Sequence, residues 1–324
     1  AVVILVEHGR VPAEGNLARD WVVPAVHPAS NMRAAEIAGL VAGHIRIMGW
    51  TAATHFDGNQ ALDIERLAVL AGLVVRQGDE IANPYLGKRF SLAVVSTDYA
   101  AATDRPLAAG ALKAPGLSYW WGQNGAQSGR ERNRRARRRS DQSRYPMETV
   151  RTVERPTTLI VDDEVPRVPK RAAFFERALQ GDLGPKAQAA RRRFSFKHPM
   201  SYSQLGVIRA MVPYQDGEVA ADKNPRLGDP AANARAIKAL SYFLGADITG
   251  ICEVPEYTWY SHKEDGRPIE PYHKYAVVML IDQGFDTMEG GSGDDWISGA
   301  QSMRAYLRGA EIAGVMAEVM RGEG

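Results

Sequence analysis

The chain has 324 residues, 45% hydrophobic and 24% charged, with a formal net charge of +2. That composition is globular, with length for about two domains. Near-neutrality gives no global attraction to nucleic acid or anionic membrane, and no apolar run approaches the roughly 18–20 residues that span a bilayer. The single cysteine, Cys252, excludes an intramolecular disulfide and any iron–sulfur cluster held by four thiolates of this chain. It points to a reducing, cytoplasmic setting.

In chain order, residues 1–6 read as a buried-type strand, Ala1-Val2-Val3-Ile4-Leu5-Val6. A loop with Pro12, Gly15, Pro24 and Pro28 follows, and Asn31 stands where it could cap a helix over roughly 32–48. Ile37, Val41, Ile45 and Met48 recur there at spacings of three and four, and Gly49 ends the run. A second helix, about 61–72, would turn Leu62, Leu67, Val69 and Leu70 inward. Phe90 to Val95 is apolar enough for a strand.

Residues 110–150 change character, with a dense basic run of Arg130, Arg132, Arg134, Arg135, Arg137, Arg138 and Arg139. A short strand is expected from Thr157 to Val161, and 171–230, with a helix near 171–180, reads as an arm between units. Then come a helix over 234–244 stopped by Gly245, a strand over 248–254, and an aromatic loop with Tyr257, Trp259 and Tyr260. A strand over 275–281 and a helix over 303–320 complete the order. Helices alternating with strands argue for a layered α/β or α+β architecture.

Residues 1–49 align with 276–324 without a gap at an offset of 275, and 19 of the 49 positions are identical. Asp20-Trp21 matches Asp295-Trp296, and Ala35–Gly39 matches Ala310–Gly314. A repeat this long indicates duplicated domains rather than a solenoid of short units. The first copy continues past residue 49 while the second stops at Gly324, so the expectation is an internal piece of a longer protein holding two incomplete copies.

The run Phe243-Leu244-Gly245-Ala246-Asp247-Ile248-Thr249-Gly250-Ile251 and the strand Lys274-Tyr275-Ala276-Val277-Val278 resemble the entry to the corrinoid domain of reductive dehalogenases. In the first copy Ala35–Gly39, Met48-Gly49-Trp50, Gly58-Asn59, Leu67–Leu73, Val95–Asp98 and Asp104-Arg105-Pro106-Leu107 resemble its next stretch. The resemblance covers roughly 1–110 and 231–324, and is closest to the catabolic, oxygen-tolerant branch, where a degenerate module precedes a working one. It implies nitroreductase-like corrinoid-binding modules: residues 1–165 as the later part of the degenerate module, 166–230 as a connecting arm, and 231–324 as the opening of the cobalamin-dependent module.

The resemblance also implies removal of halide from an organohalide, an aromatic one in the first instance, with cobalamin and 4Fe–4S iron–sulfur clusters. An electron-donating reductase or a ferredoxin would be the partner. The family's proton-donating tyrosine maps to Tyr306, and the first copy carries Asn31 at the aligned position, without a phenol. Ligands for the corrinoid remain unassigned.

A phenol, with an ordinary pKa near 10, delivers a proton well only where a cation or hydrogen bond stabilises the phenolate. Arg304 and Arg308 flank Tyr306 in sequence, but two positions along a helix is another face. Read on chemistry alone, Tyr306 is a surface or core tyrosine. The aromatic loop could wall a substrate pocket or simply pack its module, and Cys252 reads as a buried structural thiol.

Gly290–Asp295 fits one unit of a calcium-binding nonapeptide, too little for a stacked coil. The scattered histidines give no metal-ligand spacing. The basic run lacks interleaved aromatics and reads as a solvated helix or arm against acidic neighbours, not a nucleic-acid surface. Membrane association has no support in the sequence. Two other functions stand beside the dehalogenase: a non-catalytic scaffold of degenerate modules, and a flavin-dependent reductase on a similar fold. No Gly-x-Gly-x-x-Gly follows a strand, which counts against a dinucleotide-binding enzyme.

Overall fold

The structure is a computed structural model that describes residues 1–59, 61–108, 110–112, 117–121, 129–154, 164–194, 199–289, 291 and 296–324. Its first half sets β1 (Val2–Glu7), α1 (Arg19–Ile47), β2 (Ala52–Phe56), α2 (Ile64–Leu70), the hairpin β3 (Val75–Gln77) and β4 (Glu80–Ala82), and β5 (Phe90–Thr97). The strands β1, β5 and β2 form an antiparallel sheet in that order, with Val2 opposite Val95 and Thr54 also opposite Val95. β5 is central and covered on both faces, which explains its apolar stretch Leu92–Val95. Ala93 and Val95 pack under Ala34, Ala38, Ala42 and Ile45 of α1, while Phe90 packs with Ala68 and Val74 on the other face.

Two expectations here are corrected. α1 begins at Arg19 rather than near residue 32, and Pro24 and Pro28 lie inside it. An interior proline removes a helical hydrogen bond. Packing offsets that loss, because Val22, Ala25, Val26 and Ala29 press into a core shared with the second half. Asn31 is therefore mid-helix, and the N-cap position is Ala18, which offers no side-chain bond. α2 is shorter than expected: Asp63 caps it by accepting from the Arg66 amide at 2.9 Å. Ile64 and Ala68 form its buried face, leaving Leu62 and Leu70 exposed.

The middle of the chain is helical: α3 (Leu117–Trp121), α4 (Gly129–Ala136), α5 (Phe174–Gln180), α6 (Pro185–Phe194) and α7 (Pro199–Met211). The strand expected from Thr157 to Val161 lies outside the described residues. α7 packs across α1 and across the last helix of the chain.

The second half opens with α8 (Pro230–Leu244), then β6 (Ile248–Glu253), β7 (Tyr275–Leu280), α9 (Phe285–Glu289) and α10 (Trp296–Gly322). Asp229 caps α8 by accepting from the Ala231 amide at 2.9 Å, and Gly245 ends it at φ 106°, a left-handed stop that favours glycine. α10 starts at Trp296, not near 303; Ser298, Gly299 and Ser302 gave no apolar period, yet Ala300, Met303 and Leu307 are buried. β6 and β7 pair antiparallel, with Ile251 opposite Val277. Gly250 through Glu253 emerge from the core, so Cys252 is exposed, correcting its reading as a buried thiol.

One core joins the halves. Ala18, at the N-cap of α1, and Val22 within it meet Ala239, Leu240 and Phe243 of α8 and Ile312 and Met316 of α10. The approach is close at Gly9, where a Cβ would stand 2.5 Å from the Phe243 ring and 2.9 Å from its carbonyl oxygen. The result is a mixed α/β fold. Among the described residues no helix is long and apolar enough to cross a membrane.

Candidate active site

Tyr306 sits on α10 with 58% of its surface exposed. Its sequence neighbours do not serve it. Arg304 donates through Nε to Gln301 Oε1 at 2.9 Å and through Nη2 to the Asp282 carbonyl at 2.7 Å. Arg308 donates to Glu311 at 2.8 Å. Both guanidiniums line a cavity of about 430 Å³ between the two halves, together with Arg33 and Tyr145. Tyr306 falls on the other side of the helix, as its two-residue spacing requires. One turn on, a Cβ at Gly309 would meet nothing within 4 Å, so the surface beside the phenol is open.

The position 275 residues earlier is Asn31, on α1. Its Nδ2 donates to the Asp57 carbonyl at 3.2 Å. With His27, Asp57, Asp63, Glu65 and Lys88 it lines a cavity of about 550 Å³ against β5. The neighbouring Ser30 hydroxyl is 2.6 Å from that of Ser91 on β5, both buried. The same offset carries the sheet-covering residues Ala34, Ala38, Ala42 and Ile45 to Gly309, Ala313, Ala317 and Met320, where Ala313 and Met320 are exposed. β1 pairs with β5, whereas β7 pairs, among the described residues, with β6 alone.

The other candidates are placed as follows. In the aromatic loop, Trp259 stacks edge-on against Tyr272 at 4.8 Å, Lys170 lies 5.0 Å over the Tyr260 ring, and the Ser261 amide donates to the Val168 carbonyl at 2.8 Å. The loop is thus pinned to the arm. His55 Nε2 lies 2.9 Å from Ser96 Oγ. Among the described residues no group of three or more His, Cys, Asp or Glu side chains is arranged to hold a metal ion. Of Gly290–Asp295, only Gly291 is described.

The basic run is largely paired. Glu131 accepts from Arg134 and Arg135 at 2.9 and 2.8 Å, and Arg139 bonds Asp141 at 2.6 Å. Arg138 grips both oxygens of Glu148 at 2.6 Å, which holds that carboxyl down at about 2. Arginines spent on carboxylates are poor phosphate readers, in keeping with the arm reading of this segment.

No protein-family model matches the chain, and neither does any curated protein sequence. Solved structures do. The catabolic reductive dehalogenase NpRdhA is 46% identical over 98% of this chain and 47% of its own, with a TM-score of 0.90. Its complex with 3-bromo-4-hydroxybenzoic acid matches over the same shares with a TM-score of 0.91. A reductive dehalogenase structure connected with a mechanism for B12-dependent dehalogenation is 45% identical over 99% of this chain, with a TM-score of 0.90. The chain belongs to the reductive dehalogenase family. It spans about half the length of the solved reductive dehalogenases it matches.

Sequence reasoning missed one feature of this reductive dehalogenase chain, the charged contact between its halves. Arg33 and Glu36 of α1 meet Arg308 and Glu311 of α10. The signal was present, since both pairs sit at identical positions of the repeat.

Proposed function

We propose that residues 231–324 open the cobalamin-dependent module of a reductive dehalogenase. Residues 1–165 form the later part of a degenerate, nitroreductase-like companion, 166–230 connect them, and Tyr306 donates the proton that replaces the halogen. The observation carrying this reading is the pairing of Tyr306 with Asn31. In the first copy that helix position opens on a cavity of about 550 Å³ and bears an amide that cannot act as a phenolic acid. In the second copy it bears an exposed phenol. Ala313 and Met320 of α10 are exposed, and β7 pairs among the described residues with β6 alone, which sets the second copy apart from the first.

The reaction takes a carbon–halogen bond, two electrons and a proton to a carbon–hydrogen bond and halide. A bound corrinoid would supply the reduced cobalt chemistry for cleaving the carbon–halogen bond. The surface at Gly309, beside Tyr306, is open and would leave room for a bound group there. The phenol's role is to hold one proton at its oxygen and release it to the carbon that loses halide, a transfer that needs a cation or hydrogen-bond donor to stabilise the phenolate. Iron–sulfur clusters do not fit this chain, because Cys252 is its one thiol and such a cluster takes about four. The two electrons enter from elsewhere, an electron-donating reductase or a ferredoxin being the class of donor. The complex of NpRdhA with 3-bromo-4-hydroxybenzoic acid supports a halogenated aromatic acid as substrate.

The test uses the protein in its complete reading frame, reduced and supplied with cobalamin and 3-bromo-4-hydroxybenzoic acid. The expected result is bromide and 4-hydroxybenzoic acid in equal amounts, from a preparation that carries corrinoid. A preparation that carries flavin in its place, or releases no bromide, contradicts the proposal.

A further inference from the structure

A third cleft, of about 260 Å³, lies in the first half beside α4, apart from Tyr306 and from Asn31. It is bounded by the end of β1, the turn before β5 and α4. Four guanidiniums line it, from Arg10, Arg89, Arg135 and Arg144, with Glu7 as the single carboxylate and His8 beside them.

These cations are unevenly satisfied. Arg135 has Glu131, at 2.8 Å. Arg10 has no carboxylate: it donates to the carbonyls of Arg139 and Gln142, at 3.4 and 3.1 Å, and its Nε is buried without a partner among the described residues. Arg89 and Arg144 are exposed, and among the described residues neither side chain makes a hydrogen bond or ion pair. Burial, and then the nearby Arg144, weaken the hold of Arg10 on its proton. Burial, then His27 and Arg89 beside it, push His8 below the ordinary histidine range. The groups at the cleft thus register an excess of positive charge, in partial shelter from water, where an anion gains most. Planar guanidiniums with free donors suit a tetrahedral oxyanion, which accepts paired, charge-assisted hydrogen bonds.

We propose that this cleft binds a phosphate-class oxyanion, either free or as the terminal group of a small organic phosphate. The anion would bridge Arg89, just before β5, and Arg144, beyond α4, and so fasten the segment after α4 to the sheet of the first half. The degenerate half then carries a ligand site of its own, separate from the chemistry at Tyr306.

The test is titration of the chain with inorganic phosphate at constant ionic strength, by calorimetry and by the ring resonances of His8, assigned with His8→Asn. Saturable heat and a saturable shift at His8 are expected. Arg89→Ala and Arg144→Ala, both at exposed side chains, should each weaken binding about tenfold or more, the loss of one charge-assisted bond, with thermal midpoints unchanged. Arg144→Lys should retain part of the affinity. Glycerol phosphate separates the two sources: tighter binding than inorganic phosphate assigns an organic phosphate, and equal binding assigns the free ion. No saturable response, an equal response to chloride, or an undiminished response in the Arg89→Ala/Arg144→Ala double variant would overturn the proposal.

Discussion

Arg33 and Glu311 meet across the two halves of the chain, with Nη1 of Arg33 3.7 Å from Oε2 of Glu311. That oxygen also accepts from Arg308 at 2.8 Å, while Arg33 bonds Glu36. The offset of 275 carries Arg33 to Arg308 and Glu36 to Glu311, so Arg33 meets the partner of its own counterpart.

Removing Arg308 leaves Glu36 and Glu311 to share Arg33. Burial already raises the Glu311 carboxyl against the pull of Arg308. Arg308→Ala is therefore expected to cost about 2 kcal/mol, below the range for fully buried pairs because these side chains keep some solvent contact. Urea denaturation measures it. An unchanged midpoint would mean that the contact between the halves does not depend on this quartet.

Two glycines should behave in opposite ways. Gly9→Ala drives a methyl into the Phe243 ring and its carbonyl, and should cost about 2 kcal/mol through overpacking. Gly39→Ala, on α1, meets nothing within 4 Å and should stabilise by up to about 1 kcal/mol, since alanine is the better helix former. Thermal unfolding of both variants checks the contrast.

Tyr145, in the segment after α4, ties the first half to the second by donating to Asp282 at 2.7 Å. That bond, and then burial, push the phenol up to about 12. The folded value lies above the unfolded one near 10. The stabilisation is thus fully present below pH 10 and is lost as pH rises towards 12. Alkaline titration of tyrosinate absorbance should show a late step that Tyr145→Phe abolishes. A titration in the variant identical to that of the unchanged protein would refute the assignment.

The helix and strand order of the second half was legible because Gly245 marks a stop and the strand runs are short and apolar. The start of α1 was not. Pro24 and Pro28 argue locally for a loop, and only the shared core with α8 and α10 makes a helix there favourable. Cys252 misled in the opposite way: an apolar neighbourhood in sequence does not say that β6 runs out past the core. Tyr306 was found through resemblance and the aligned Asn31, whereas the cavity at Asn31 depends on β5 and the residues before α2 folding back, which no local pattern records.

The central claim is the phenolic role of Tyr306. The most direct measurement compares bromide release from 3-bromo-4-hydroxybenzoic acid by the complete, cobalamin-loaded protein and its Tyr306→Phe variant. The account predicts a kcat lower by about a hundredfold or more, the usual contribution of a positioned acid, with KM and corrinoid content little changed. A variant that releases bromide at the original rate would contradict it.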